Sequence, residues 1–400
     1  MHRSIASILT LATLAASSLV YAADPPLERI AAERVLTMLD EATRIENFRH
    51  IDQIFPVETI HRSGTPFMFK EQPVELDSVS FEWRGEKETI DSFLDKTVTT
   101  AFLVVKGDAI VFERYYRGND KDSQATSMSV AKSYTSALVG IALAEGKIKS
   151  VDDPVTKYVP ELNGSGYEGV PIKHLLQMSS GIDFSEVYED QSSDIIVMVG
   201  QIAAGMSVND YAKALKSQRK SGEAFNYASI DTNILGMLIQ NATGKNVAEY
   251  LEEKIWSKLG MESDATWGMD NHGNVLNFAW LNVTARDYAK FGRLYLNKGN
   301  WNGAQIVPAE WVAGSAKPDK EYLKLKDLYE PRWDIGYQHQ WWVPAGDEGE
   351  FTGIGVWGQY VYVNSARDLI IVKNSVDPGF GTRDMETVAA FRAIGEKLGK

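Results

Sequence analysis

The chain contains no cysteine, which excludes disulfide bonds, thiol catalysis and a lipid anchor attached through sulfur. Histidine is scarce: beyond His2 there are only His50, His61, His174, His272 and His339. None of these pairs has the H-x-x-x-H spacing that sets two imidazoles on one helix face, so no metal site and no cofactor is expected. Basic charge is also in deficit, with 41 Lys and Arg against 54 Asp and Glu and a formal net charge of −13. That balance argues against nucleic acid and anionic lipid as partners, since both need clustered cations. Repeats and low-complexity tracts are missing too, and beyond the first 22 residues no apolar run is long enough to span a bilayer.

What the chain does have is apolar bulk. Of its 400 residues 44% are hydrophobic and 24% charged, a composition that buries a large core. At this length one large domain, or one domain interrupted by an insertion, is expected. The N-terminus carries His2 and Arg3, then a largely apolar run from Ile5 to Val20 and the small-residue sequence Val20-Tyr21-Ala22. This is the layout of a secretory signal peptide over residues 1–22, cleaved after Ala22, and it predicts a secreted or periplasmic protein with no membrane span after cleavage.

Periodicity predicts an amphipathic helix from about Leu27 to Ile45. Two β-rich runs between Ala101 and Tyr116 flank Gly107-Asp108 as a hairpin. A second hairpin joins Gly358–Asn364 to Leu369–Asn374 through Ser365–Asp368, and Asp384 opens a final helix to about Leu398. Residues 127–296 are dominated by helical periodicity. The pattern implies an α+β fold: an antiparallel sheet built from residues 23–126 and 297–400, flanked by helices and interrupted by an all-α region over 127–296, with a ligand cleft between them.

The chemistry centres on Ser129-Val130-Ala131-Lys132 at the start of an apolar, small-residue helix. A spacing of three puts serine and lysine on one helix face. A lysine kept neutral by burial can take the serine proton, and the helix N-terminus favours charge developing on oxygen. The same four-residue pattern recurs at Ser217-Gln218-Arg219-Lys220, but among Lys213, Lys216 and Arg219 it reads as a solvated basic face. Two further elements carry candidate chemistry. Tyr227, in Phe225-Asn226-Tyr227-Ala228-Ser229, precedes an apolar helix and can point into a cleft, where nearby ammoniums would make it a proton shuttle. The glycine-rich segment Gly353-Ile354-Gly355-Val356-Trp357-Gly358-Gln359 enters the last hairpin, and the N–H groups of Gln359 and Ser129 are candidates for an oxyanion hole.

Taken in order, these three elements resemble the Ser-x-x-Lys, Tyr-x-Asn and Lys-Thr-Gly motifs of the serine β-lactamase and penicillin-binding protein superfamily. The resemblance extends over residues 40 to 395, with support from VDDPVTKYVPEL at 151–162 and TARDYAKFGRLYLNKGNW at 284–301. It is most similar to the class C branch, and within it to 6-aminohexanoate-dimer hydrolases and β-lactamase-like carboxylesterases. The resemblance implies the β-lactamase/transpeptidase-like fold. It also implies Ser129 as acylated nucleophile, Lys132 as its proton relay and Tyr227 as base and then acid. Ser229, in place of the motif asparagine, would support the lysine or contact substrate.

The third motif departs from the family. Val356-Trp357-Gly358 stands where Lys-Thr-Gly is expected, so a cation and hydroxyl that would hold a β-lactam carboxylate are missing, a loss of about 1.5–3 kcal/mol. Trp357 offers an apolar wall suited to acyl chains or linear amides. The expectation is a serine hydrolase acting on a small ester or amide. The alternatives left open are a β-lactamase or DD-peptidase and a catalytically silent binding protein on the same fold. Oligomeric state is not legible.

Overall fold

The computed structural model describes residues 29–325 and 334–399. The expected signal peptide and the start of the expected first helix lie outside the described residues. Among the described residues no helix is long and apolar enough to cross a membrane.

Alternating apolar residues from both ends of the chain meet in one sheet. Its strands are β1 Lys70–Glu71, β2 Thr99–Lys106, β3 Ala109–Tyr115, β4 Lys324–Leu325, β5 Ile335–Gln338, β6 Trp341–Pro344, β7 Glu350–Gly355, β8 Gln359–Asn364 and β9 Leu369–Ser375. They lie in the order β4-β5-β6-β7-β8-β9-β2-β3-β1. The two ends of the chain are joined by the antiparallel ladder of β9 with β2, where Ile371 faces Val104 and Val372 faces Leu103. Only β1 with β3 is parallel among these pairs. Because strand side chains alternate, Leu103, Val105, Ile370 and Val372 enter one core while Phe102, Val104, Leu369 and Ile371 enter another.

Four helices enclose this sheet and the cleft beside it: α1 Ala131–Ala144, α2 Ser229–Thr243, α3 Ala285–Leu296 and α4 Asp384–Leu398. Helix α3 covers one sheet face, close enough that a Cβ at Gly292 would lie 2.7 Å from Ile370. Helix α4 covers the other face, with the Phe391 ring against Phe102, Tyr360 and Tyr362. The arrangement is the α+β one expected from the pattern.

Two features differ from expectation. The expected continuous first helix is two short ones, Ala32–Leu36 and Arg44–Arg49. The Thr43 hydroxyl and the Asn47 amide bond the Thr37 carbonyl, and Asn47 also bonds that of Met38. Such side chains compete with the helical ladder and end it. The central region also contains strands. Its Ala265–Gly268 and Leu281–Thr284 join Val57–Ile60 and Gln124–Thr126, from before it, in a second, four-stranded sheet, whose members are too short to leave a clear period-two signal.

Helix α1 is buried on every side from Ala131 to Ala142. Small residues allow this: a Cβ at Gly140 would lie 2.6 Å from the Trp311 indole, whereas one at Gly200, in the helix Asp194–Ala203, meets nothing within 4 Å. Gly140→Ala should therefore destabilise by about 1–3 kcal/mol through overpacking, while Gly200→Ala should be neutral or stabilising. Urea denaturation of the two variants checks this, and equal effects would contradict the packing account.

Candidate active site

The site is assembled where the second sheet meets α1. Strand Gln124–Thr126 delivers the chain to Ser127, whose N–H donates to the Leu281 carbonyl at 2.8 Å and whose hydroxyl accepts from the Leu281 N–H at 3.1 Å. Met128 then takes φ +42°, a conformation that side chains larger than glycine rarely adopt and that persists only when its surroundings impose it. One 3₁₀ turn, Met128–Val130, opens α1. Ser129 is left half-buried, while Lys132 is 1% exposed.

The Lys132 ammonium donates to Ser129 Oγ at 2.7 Å and to the Phe278 carbonyl at 3.0 Å. The Tyr227 and Phe278 rings lie 5.1 and 5.9 Å from Nζ. Burial lowers its pKa from an ordinary 10.5 to about 8, against the opposing charge of Glu186. The Phe278 carbonyl is itself held from two helices. Thr135 of α1 donates to the Asn277 carbonyl at 3.2 Å. The Asn277 amide fills a notch at Gly236 of α2 so closely that a Cβ there would lie 1.7 Å away. Sequence reasoning missed Phe278, because a backbone carbonyl has no motif.

Tyr227 immediately precedes α2. Its ring stacks on Trp342 at 5.5 Å and meets Tyr337 edge-on at 5.8 Å, so an aromatic cluster orients it beside Lys132. Ser229, two residues on, directs its N–H and its hydroxyl to the Glu186 carboxylate at 2.7 and 2.8 Å. Glu186 carried no signal in the sequence. Asp231, two residues further along α2, is pushed up to about 8 by burial, with the Tyr167 hydroxyl donating to it at 3.0 Å. The second Ser-x-x-Lys match is remote in character: the Ser217 hydroxyl donates to the Arg219 carbonyl at 2.7 Å, and Ser217 bridges to Ile182.

The glycine-rich third element needs correction. Gly355, the last residue of β7, backs onto the segment of Ser129: a Cβ there would lie 2.5 Å from the Ser127 carbonyl oxygen and 3.0 Å from Ser129 N. The backbone passing Ser129 is therefore 354–356, with Val356 as the next residue. Gln359 begins β8, on the far side of the turn. It is 1% exposed, and its amide donates to the Trp357 and Ser375 carbonyls at 3.3 and 2.6 Å. Gly358 is confined from behind, where a Cβ would lie 2.2 Å from Ser375 Oγ. Lys373 supports the same turn, donating to Ser375 Oγ at 2.9 Å while Ser375 donates to the Trp357 carbonyl at 2.7 Å. Neither Gly358 nor Gln359 lines the cleft, because the register of the hairpin turns them toward the sheet.

Two cavity lobes meet at Ser129. One, of about 120 Å³, is walled by Met38, Leu39, Ile195, Val199, Trp280 and Trp357, with Ser229 at its edge. Trp357 is 3% exposed, packed between Phe48 and Phe380, with the Arg44 guanidinium 4.6 Å from its ring. The other lobe, of about 200 Å³, is lined by Glu186, Tyr188, Glu189, Tyr227, Trp342 and Asp384, with Ile354, Gly355 and Val356 beside the serine. Burial pushes Asp384 up to about 7, with the Tyr360 hydroxyl hydrogen-bonded to it.

An antiparallel sheet covered on both faces, with a serine-lysine pair on a buried helix beside its strand β7, is the β-lactamase/transpeptidase fold, and solved structures of that class superpose on it. Residues 87–392 match the beta-lactamase family, and the chain belongs to that family. It is 30% identical over 346 residues to the 6-aminohexanoate-dimer hydrolase of Paenarthrobacter ureafaciens, covering 84% of this chain and 86% of the relative. A proposed 6-aminohexanoate-dimer hydrolase from Bacillus anthracis superposes with a TM-score of 0.83 at 24% identity, over 95% of this chain and 99% of that one. A family VIII carboxylesterase superposes at 0.58 with 17% identity, over 77% and 95%. The chain is a β-lactamase-fold hydrolase.

If the neutral Lys132 amine is what activates Ser129, inactivation by a serine-directed fluorophosphonate should accelerate with rising pH through about 8 and then level off. Glu186→Gln removes a charge that favours the ammonium and should move this limb to lower pH. A rate independent of pH between 6 and 10 would contradict it.

Proposed function

We propose that this protein is an exported serine hydrolase that cleaves ester or linear amide bonds through an acyl-enzyme on Ser129. The carrying observation is the 2.7 Å hydrogen bond between Ser129 and a lysine that is buried and hence readily neutral. In this reading Lys132 takes the Ser129 proton as Oγ attacks the acyl carbon. The tetrahedral oxyanion forms beside the N–H groups of Ser129 and Val356, the pair that the close passage of Gly355 favours. Tyr227 hands its proton to the departing oxygen or nitrogen and the acyl-enzyme remains; water then attacks the acyl carbon, giving one proton back to Tyr227, while the Lys132 ammonium returns its proton to Ser129 Oγ as the acid leaves.

The relative in Paenarthrobacter ureafaciens supports an acyl-transfer hydrolase. The apolar surroundings of Ser129 favour esters and linear amides over β-lactams, whose carboxylate would find no Lys-Thr-Gly cation at 353–358. Export rests on the leader-like residues 1–22.

Brief exposure of wild type and Ser129→Ala to p-nitrophenyl acetate, read by intact-protein mass spectrometry and nitrophenol release, tests the reading. An acyl adduct confined to wild type and a turnover loss of more than about a hundredfold in the variant are expected. Equal acylation of both proteins would remove Ser129 from the role.

A further inference from the structure

The two lobes at Ser129 differ in chemistry, and the position of Tyr227 decides which part of a substrate enters each. Resting on the proposed acyl transfer, we infer that the acyl chain occupies the apolar lobe and the leaving group occupies the lobe that holds Tyr227, so the enzyme selects uncharged alkyl acyl groups joined to neutral or cationic leaving groups.

Proton delivery fixes the orientation. Acylation forms the bond from Ser129 Oγ to the acyl carbon and breaks the bond from that carbon to the leaving oxygen or nitrogen, which must receive a proton. The group that delivers it has to be within hydrogen-bond reach of that atom. Tyr227 lines the larger lobe and does not line the smaller one. The leaving group therefore departs on the Tyr227 side, and the acyl chain lies opposite.

The opposite side is the lobe of Met38, Ile195, Val199, Trp280 and Trp357, whose walls are almost wholly carbon. Among its described lining residues there is no carboxylate or other ionised side chain. A terminal ammonium or carboxylate on the acyl chain would be buried there without a charged partner, beside only the hydroxyls of Tyr188 and Ser229, which is strongly unfavourable. An alkyl chain loses only water, which is favourable.

The leaving-group lobe has the reverse character. Glu186, Glu189 and Asp384 line it, and among the described lining residues there is no lysine or arginine. An anionic leaving group meets the charges of Glu186 and Glu189 in a partly enclosed space, whereas a neutral or cationic one does not meet like charge. A linear amide with an ammonium on its acyl side and a carboxylate on its leaving side is mismatched at both ends. This chain is thus set apart in substrate charge from the activity named for its relative in Paenarthrobacter ureafaciens.

The test uses the mature protein and two ester series. In the first, p-nitrophenyl acetate, hexanoate and 6-aminohexanoate vary only the acyl group. In the second, hexanoate esters of choline, 3,3-dimethylbutanol and 3-hydroxypropanoate vary only the charge of the leaving group. Hexanoate should exceed 6-aminohexanoate by at least tenfold in kcat/KM, and the cationic and neutral alcohol esters should exceed the anionic one by at least tenfold. Val199→Trp, which narrows the apolar lobe, should lower the hexanoate-to-acetate ratio at least fivefold. Parity between hexanoate and 6-aminohexanoate, preference for the anionic ester, or an unchanged ratio in Val199→Trp overturns the assignment while leaving a serine hydrolase intact. If Ser129→Ala hydrolyses p-nitrophenyl acetate as well as wild type does, the acyl-enzyme reading falls and the assignment with it.

Discussion

An ammonium enclosed at the centre of the molecule is the constraint on which this structure turns. Lys132 is 1% exposed, and its hydrogen bonds among the described residues run to Ser129 Oγ and one backbone carbonyl. A charge so placed lacks the water that would stabilise it, and a single carbonyl and two ring faces compensate only in part. The lysine is consequently poised to lose its proton near neutral pH, and the serine beside it is the natural partner for the neutral amine. The proton affinity of Lys132 is thus a property of the surrounding core, and everything that packs around α1 contributes to it.

That packing is specified by small residues at a few positions. Gly236 makes room for Asn277 and so sets the height of the Phe278 carbonyl, and Gly355 lets β7 run against the backbone of Ser127 and Ser129. The second sheet supplies the remaining restraint, since its strands Gln124–Thr126 and Leu281–Thr284 pair shortly before Ser129 and shortly after the Phe278 carbonyl. With Ser127 bonded twice to Leu281, the positive φ of Met128 is held from both sides. The helical region and the large sheet therefore meet at the serine without either one alone containing the site.

The turn after β7 places Val356 and Trp357 in the cleft, and Lys373 and Ser375 brace it from behind. A cation does occur near the family's third motif, but it is buried behind the turn and points away from the space a ligand would fill. Burial lowers its pKa to about 7. The division of the cleft into an apolar lobe and a carboxylate-lined lobe comes from which residues the short N-terminal helices, the segment Glu186–Glu189 and the first turn of α4 bring to the serine.

Local regularities were legible in the chain by itself. The three-residue spacing of Ser129 and Lys132 belongs to one helix, the hairpins at Gly107-Asp108 and Ser365–Asp368 are set by period-two alternation and turn residues, and the order of the three motifs carries the family. Each depends on residues close in sequence, or on a pattern that local geometry imposes. What only the tertiary structure decided depends on residues far apart: the Phe278 carbonyl under Lys132, the Glu186 carboxylate on Ser229, the break after Leu36, and Gly355 rather than Gly358 against Ser129. Spacing along the chain places a lysine one turn from a serine. Only the enclosure of that lysine by α2, the second sheet and β7 sets its proton affinity, because desolvation is a property of the whole surrounding volume.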